Sequence, residues 1–121
     1  MSQSILIQNS LKFSAKIIKL QQYLTKQKHE SIISKQIIRS ATSIGANINE
    51  ANYGSSKADF IAKMQIALKE CAETEYWIRL LKEADYITNE MFDTLIADCL
   101  SIKKMLVATL NTAKKNFAKI S

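Results

Sequence analysis

The stretch RSATSIGANINEA, residues 39–51, has the residue pattern of a helix that is buried on one face. Its apolar residues Ala41, Ile44, Ile48 and Ala51 recur at intervals of three and four, the spacing of an α-helix that buries one face. A second line of small or polar side chains runs beside the apolar one. Its members are Gln36, Ser40, Ser43, Asn47 and Glu50. Such a line needs hydrogen-bond partners, because an unsatisfied buried polar group costs about 1 to 3 kcal/mol.

The composition places the whole chain in the all-α class. It has 121 residues, no proline and only two glycines, whereas a sheet protein needs turn residues every several positions. The length predicts a single domain, and 47% apolar with 23% charged residues is typical of a folded globular protein. No apolar run approaches the roughly 18 residues of a membrane span, and the N-terminus lacks a secretory signal. We therefore expect a cytoplasmic protein with no membrane partner.

Four periodic segments joined by short polar connectors predict an antiparallel up-down-up-down four-helix bundle. The predicted helices cover about residues 4–27, 31–52, 56–85 and 89–118. Ser56 followed by Asp59 has the form of a capping box at the start of the third helix. Thr88 or Asn89 is expected to cap the fourth helix.

Gly45 stands in the middle of the second predicted helix, where glycine costs roughly 1 kcal/mol relative to alanine. Thr42 and Ala46 put further small side chains on this side of the helix. A close approach of another backbone would offset the cost of the glycine. Two partners stay open at this point, a neighbouring helix of the same bundle or a second subunit.

The chain offers little for catalysis. Its one histidine, His29, lies in a polar connector, and the sequence has no glycine-rich phosphate loop. Cys71 and Cys99 fall in apolar helical patterns, which predicts buried reduced thiols rather than metal ligands or a disulfide framework. We therefore predict a protein that is not an enzyme and that holds no cofactor or metal.

Charge is unevenly distributed along the chain. Residues 1–49 carry seven basic and one acidic side chain, residues 50–101 carry five basic and ten acidic, and residues 102–121 carry five basic and none acidic. The first helix and the second half of the fourth are thus basic, and they are neighbours in such a bundle. We predict that they contact nucleic-acid phosphates with weak sequence preference, since arginine is scarce. The predicted contact residues are Lys12, Lys16, Lys19, Lys26, Lys35, Arg39, Lys103, Lys104, Lys114 and Lys115.

A second interpretation of these lysines stays open, because lysine is also the usual solubilising residue of helix surfaces. In that case the acidic third helix and the small-residue side of the second helix form a protein-interaction scaffold with no nucleic-acid role. Changing Lys12, Lys16 and Lys19 to glutamate discriminates the two, because it abolishes function only if the lysines bind nucleic acid.

Three segments carry a resemblance to a known family: RSATSIGANINEA (39–51), DF (59–60) and ALKECAETEYWIRLLKEADYI (67–87). They resemble the small bacterial four-helix-bundle family that includes proteins encoded in intervening sequences of large-subunit ribosomal RNA genes. The same family includes the accessory variability determinants of diversity-generating retroelements. The positions that match its pattern are Asn47, Glu50, Phe60, Ala67, Glu73 and Trp77. Ala51 departs from the pattern, which has glycine there.

The resemblance is specific over residues 33–87 and implies the bundle fold and a homopentameric ring. For the retroelement members it also implies basic surfaces that bind nucleic acid and a reverse transcriptase. We therefore expect a homo-oligomer, a pentamer, whose partners are RNA or DNA and a reverse transcriptase.

The third predicted helix carries side chains that can form hydrogen bonds with the small and polar residues of the second. Glu70, Glu73 and Trp77 share one side of it at spacings of three and four. If that side faces the second helix, Ser43 and Asn47 can donate hydrogen bonds to its carboxylates. We predict a network between helices or between subunits that sets their register. Its predicted members are Gln36, Ser40, Ser43, Asn47, Glu50, Glu70 and Glu73.

Overall fold

Four α-helices account for nearly all of the described chain. The computed structural model describes residues 2–54 and 56–120, with side chains for residues 5–54 and 56–119. The helices are α1 (Ser2–Lys26), α2 (Ile32–Asn52), α3 (Lys57–Glu83) and α4 (Asn89–Ile120), and the described residues form no strand. The all-α class predicted from the composition is confirmed.

Neighbouring helices run antiparallel. Within the described residues, α1 packs on α2 and α4, α3 packs on α2 and α4, and the diagonal pairs make no close backbone approach. Side-chain contacts join later residues of one helix to earlier residues of its neighbour. The pairs are Ser40–Thr74 and Glu50–Lys63 between α2 and α3, and Asn9–Met105 and Lys16–Asp98 between α1 and α4. The arrangement is therefore the up-down-up-down bundle, with α4 returning beside α1.

The apolar lines of the four helices form one core along the bundle. Ile44 and Ile48 of α2 are fully buried, together with Phe13 of α1, Met64 of α3 and Leu106 of α4. Burying a side chain of this size contributes about 1.5 to 3 kcal/mol relative to leaving it exposed. The 3-4-3 spacing of the opening stretch thus marks the side of α2 that faces the core.

Cys71 of α3 and Cys99 of α4 meet inside this core as free thiols, as predicted. Their Sγ atoms are 3.8 Å apart, and each thiol also contacts the backbone oxygen of the other residue. The hydrogen bond with Cys71, together with burial, raises the pKa of the Cys99 thiol. Both thiols are buried, so the pair contributes to the packing of α3 on α4.

Gly45 lets α2 approach α1 closely. A Cβ atom built on Gly45 would lie 3.3 Å from Ser10 Oγ and 3.8 Å from Ser14 Oγ. Ser14 Oγ in turn donates a hydrogen bond to the backbone oxygen of Ala41 at 3.4 Å. The sequence left open whether a helix of the same bundle or a second subunit lies against Gly45. The structure places α1 of the same bundle there.

Two helix starts use caps that the sequence predicts. Ser56 Oγ accepts the backbone N–H of Asp59 at 3.1 Å, and Thr88 Oγ1 accepts that of Met91 at 3.1 Å. The third helix ends two residues before its predicted end at residue 85, because Asp85 has a left-handed φ of 63° with which a right-handed helix cannot continue.

The start of α2 uses a cap that the sequence did not reveal. Ser31 occupies the N-cap position, but its side chain makes no capping hydrogen bond. Instead Glu30 Oε2 accepts the backbone N–H groups of Ile32 and Ile33 at 2.9 and 2.8 Å, and Glu30 Oε1 accepts that of Ser34 at 2.8 Å. One buried carboxylate thus satisfies three backbone donors that have no partner within the helix.

Candidate nucleic-acid interface

The lysines of α1 flank its seam with α4. Lys12 and Lys16 line a small cavity of about 170 Å³ between the two helices, opposite Ser101 of α4. Lys19 and Lys26 follow on the same face of α1 and are exposed. The four lysines that were grouped by their spacing in the sequence therefore lie along one side of this seam.

The lysines of α4 lie on two sides of that helix. Ser101 and Thr112 line cavities of the seam, and Lys104 and Lys115 follow them by three residues, at the outer border of the same face. Lys114 is exposed and follows Lys103 by eleven residues, about three helical turns, so it lies on the α3 side of α4, away from α1. We call the lysines on both sides of the α1–α4 contact the basic seam. Its members are Lys12, Lys16, Lys19, Lys26, Lys104 and Lys115.

Two cations of α1 and α4 are held by carboxylates. Lys16 Nζ lies 2.6 Å from Asp98 Oδ2 across the seam, and Lys103 Nζ lies 3.1 Å from Glu75 Oε1 on the α3 side. Burial alone would raise the pKa of Glu75, but hydrogen bonds from Lys103 and Arg79 outweigh it, and the pKa is lowered. The predicted cations without an ion-pair partner among the described residues are Lys12, Lys19, Lys26, Lys35, Lys104, Lys114 and Lys115.

Lys35 and Arg39 lie on α2, away from the basic seam. Lys35 is exposed to solvent. Arg39 reaches α3, where Nη1 lies 3.3 Å from Glu70 Oε2 and Nη2 contacts the carboxylate of Glu73. The hydrogen bond to Glu70 raises the pKa of the Arg39 guanidinium. The structure therefore separates these two cations from the lysines of α1 and α4 with which the sequence grouped them.

Polar side chains of α2 and α3 meet on the side where the network was predicted. Ser43 Oγ donates to Glu70 Oε2 at 3.3 Å. Asn47 Nδ2 donates within its own helix, to the backbone oxygen of Ser43 at 2.8 Å and to its Oγ at 3.1 Å. Deeper in the bundle, Thr74 Oγ1 donates to Ser40 Oγ at 2.8 Å, and both residues are buried. The hydrogen bonds of Ser43 and Thr74 join two helices of one chain, whereas those of Asn47 stay within α2 and do not reach a carboxylate of α3.

Two predicted network members stand apart from these hydrogen bonds. Glu50 Oε1 lies 3.4 Å from Lys63 Nζ, towards the end of α2. Gln36 is half-buried, and its side chain makes no hydrogen bond within the described residues. Trp77 adds a member on α3, since its Nε1 donates to Glu73 Oε2 at 3.2 Å.

Arg39 joins Glu70 to Glu73 and is a network member that sequence reasoning assigned to nucleic acid instead. It precedes Ser43 by four residues, and Asn47 follows Ser43 by four, so all three lie on the α3 side of α2. This spacing of four residues was the feature of the sequence that could have placed Arg39 in the network. The spacing was overlooked because Arg39 lies in the basic stretch of residues 1–49 and was therefore assigned to nucleic-acid binding.

The Arg39→Ala protein is expected to lose about 1 kcal/mol in free energy of unfolding, because Glu70 and Glu73 would face each other without their cation. The effect stays modest because the Arg39 side chain is 49% exposed. Urea unfolding followed by circular dichroism measures it. Lys35→Ala, on the same helix and unpaired among the described residues, is the matched control and should leave the midpoint unchanged. Equal midpoints for the two variants would contradict a stabilising role of the network.

A larger cavity of about 480 Å³ lies at the end of the seam where α1 begins. Ile5 of α1, Phe60 of α3 and Met105 of α4 form part of its wall. Within the described part of the chain, no three His, Cys, Asp or Glu side chains come together as a metal site. No helix there is both long enough and apolar enough to cross a membrane.

The fold and this surface define a class of protein, a small all-α four-helix bundle with a basic seam between its first and last helices. The family described as 23S rRNA-intervening sequence protein matches residues 2–108. The chain belongs to this family. The part of the resemblance that concerned ribosomal RNA intervening sequences is therefore confirmed, and the relation to retroelement proteins stays a prediction.

One solved structure is similar over almost its whole length. It is a protein with unknown function from the S23 ribosomal protein family from Bacteroides thetaiotaomicron, 44% identical to this chain with a TM-score of 0.90. The match covers 92% of this chain and 99% of that one. No curated protein matches the chain.

Proposed function

We propose that this protein is a non-enzymatic, cytoplasmic bundle that self-associates and binds nucleic acid through the basic seam. Binding occurs by contact with phosphates and carries little sequence preference. The bound nucleic acid is presented to a processing enzyme such as a reverse transcriptase. The family is named for an RNA, which supports structured RNA as the first ligand to test.

The observation that carries this proposal is the set of lysines on both sides of one seam that lack ion-pair partners among the described residues. Lys12, Lys19 and Lys26 belong to α1, and Lys104 and Lys115 belong to α4. Each contact of such a lysine with a phosphate releases a counterion from the polyanion, which favours binding. The carboxylates of α3 do not cancel this charge, because several of them are engaged by cations on other sides of the bundle.

The mode of recognition follows from the residue types on this surface. Lysine is a point charge on a flexible stem and does not read base edges as the planar arginine fork does. Arg39 and Arg79 are both engaged by glutamates. Contacts at the basic seam would therefore go to the backbone of the nucleic acid, which makes affinity strongly dependent on salt.

The test is binding of labelled structured RNA and of duplex DNA across a salt series. We expect micromolar or tighter affinity at low salt, with log K falling against log salt by about 0.7 to 0.9 for each phosphate contacted. Five unpaired lysines in the seam predict a total slope of about −3 to −5 for one subunit. An absence of binding at low salt would contradict the nucleic-acid function and leave the protein-interaction scaffold as the remaining interpretation.

Self-association is proposed from a different surface. Leu11 is 71% exposed and Ile18 is 42% exposed, on one face of α1. Thr42 and Ala46 are small and exposed on the neighbouring helix α2. Large apolar side chains beside small ones favour burial against another subunit. We expect a pentamer, as the resemblance implies, and light scattering that gives a monomer mass would contradict it.

Five copies at +6 would present about +30 to one polyanion.

A further inference from the structure

The larger cavity of the α1–α4 seam combines an apolar wall with polar groups that have no partner. Phe60 and Met105 contribute to the apolar wall. Thr109, Thr112 and Asn116 of α4 also line it, and their side chains make no hydrogen bond within the described residues. A cavity with this lining offers an aromatic ring together with hydrogen-bond donors and acceptors on one side.

The size and charge of the cavity restrict its ligand. Its volume of about 480 Å³ lies within the range of about 300 to 1,000 Å³ that is typical of small-molecule sites. Lys57 is the one charged side chain in its described lining and is exposed. A ligand that fits is therefore partly apolar, able to hydrogen-bond along one edge, and linked to an anionic group.

The larger cavity and the basic seam lie along the same face of α4. Asn116 lines the larger cavity, and Asp98 on the same face of α4 lines the smaller one, opposite Lys12. An α-helix rises about 1.5 Å per residue, so these two positions are about 27 Å apart along α4. A nucleic-acid strand that follows the seam would meet lysines and the larger cavity in turn.

We propose that this cavity takes one unpaired nucleobase of the bound RNA. The base stacks on Phe60, and its edge exchanges hydrogen bonds with Thr109 and Asn116. The phosphate beside it contacts Lys57, and the flanking backbone follows the basic seam. A lipid chain would contact only the apolar wall, whereas a base can also exchange hydrogen bonds with the hydroxyl and amide groups of α4, so the lining favours a base. This inference rests on the proposed function and specifies its ligand, an RNA with a looped-out base rather than a continuous duplex.

The experiment compares two hairpin RNAs that differ at one bulged nucleotide. One carries 2-aminopurine there, and the other has no base on the same sugar-phosphate backbone. The wild-type protein is expected to bind the first about tenfold more tightly, the effect of stacking one base on an aromatic side chain. The fluorescence of 2-aminopurine should also change on binding.

Two matched substitutions on α4 locate the effect. Ala113 lines the cavity, and Ala113→Phe is expected to remove the preference for the RNA that carries the base. Ala97 is exposed and outside the cavity lining, so Ala97→Phe should keep the preference. Circular dichroism melting identifies a variant that fails to fold. The comparison of the two RNAs with wild-type protein needs no substitution and tests the inference by itself.

Equal and salt-sensitive affinity of the wild-type protein for both RNAs would overturn the base site and leave the proposed function standing. No binding of either RNA at low salt would overturn both. Loss of the preference in both Ala113→Phe and Ala97→Phe would count against the cavity as its location.

Discussion

A protein with Lys12 and Lys104 changed to glutamate is expected to bind structured RNA about a hundredfold more weakly at low salt. Lys12 lines the seam and Lys104 lies at its outer border on α4, and neither has an ion-pair partner among the described residues. Each reversal removes a phosphate contact and adds a charge that repels the backbone. The slope of log K against log salt should also become less steep by about 1.4 to 1.8, the share of two phosphate contacts.

The matched control carries the same change in net charge on other helices. Lys35 of α2 and Lys69 of α3 are exposed and unpaired within the described residues. The protein with both changed to glutamate should lose affinity only a few-fold, through the general loss of positive charge. If the two double variants lose the same affinity, the nucleic acid is not held at the basic seam.

A Glu30→Ala protein is expected to lose about 2 to 3 kcal/mol in free energy of unfolding. The carboxylate of Glu30 accepts three backbone N–H groups at the start of α2. Alanine would leave these donors without a partner at a position where the side chain is buried. The negative charge also interacts favourably with the N-terminal end of the helix dipole, and alanine removes that contribution. Urea unfolding followed by circular dichroism gives the difference.

Two further variants show whether the carboxylate itself is responsible. Ser31→Ala alters the residue at the N-cap position, but its side chain makes no capping bond, so we expect almost no change in stability. Glu30→Gln keeps one acceptor oxygen and should fall between wild type and Glu30→Ala. A Glu30→Ala protein as stable as Ser31→Ala would show that the observed hydrogen bonds do not stabilise α2.

The features readable from the sequence are those whose cause is local. The 3-4-3 spacing at Ile44 and Ile48 places them in the core because a helix has 3.6 residues per turn whatever surrounds it. The caps at Ser56 and Thr88 bond to a backbone group three residues away, so a short stretch contains both partners. The grouping of the α1 lysines along one side of a seam follows from the same periodicity.

Whether an individual cation forms an ion pair depends on contacts between distant parts of the chain. Arg39 was grouped with nucleic-acid ligands, but its partners Glu70 and Glu73 lie 31 and 34 residues further on. Lys16 is held by Asp98, 82 residues away, across the seam. The Glu30 cap is a nearer case, missed because Glu30 lies one residue before the N-cap position and its carboxylate reaches forward to the first N–H groups of the helix.

The periodicity of the chain was sufficient to predict four helices, the capping residues of α3 and α4, and which helix faces are apolar or basic. Packing between helices set which cations are ion-paired, that Gly45 faces α1, and that a cavity opens between Phe60 and the second half of α4. The physical reason is that helix periodicity and capping act over a few residues. Ion pairing and cavity shape, in contrast, depend on the distance between side chains of different helices, which only packing sets.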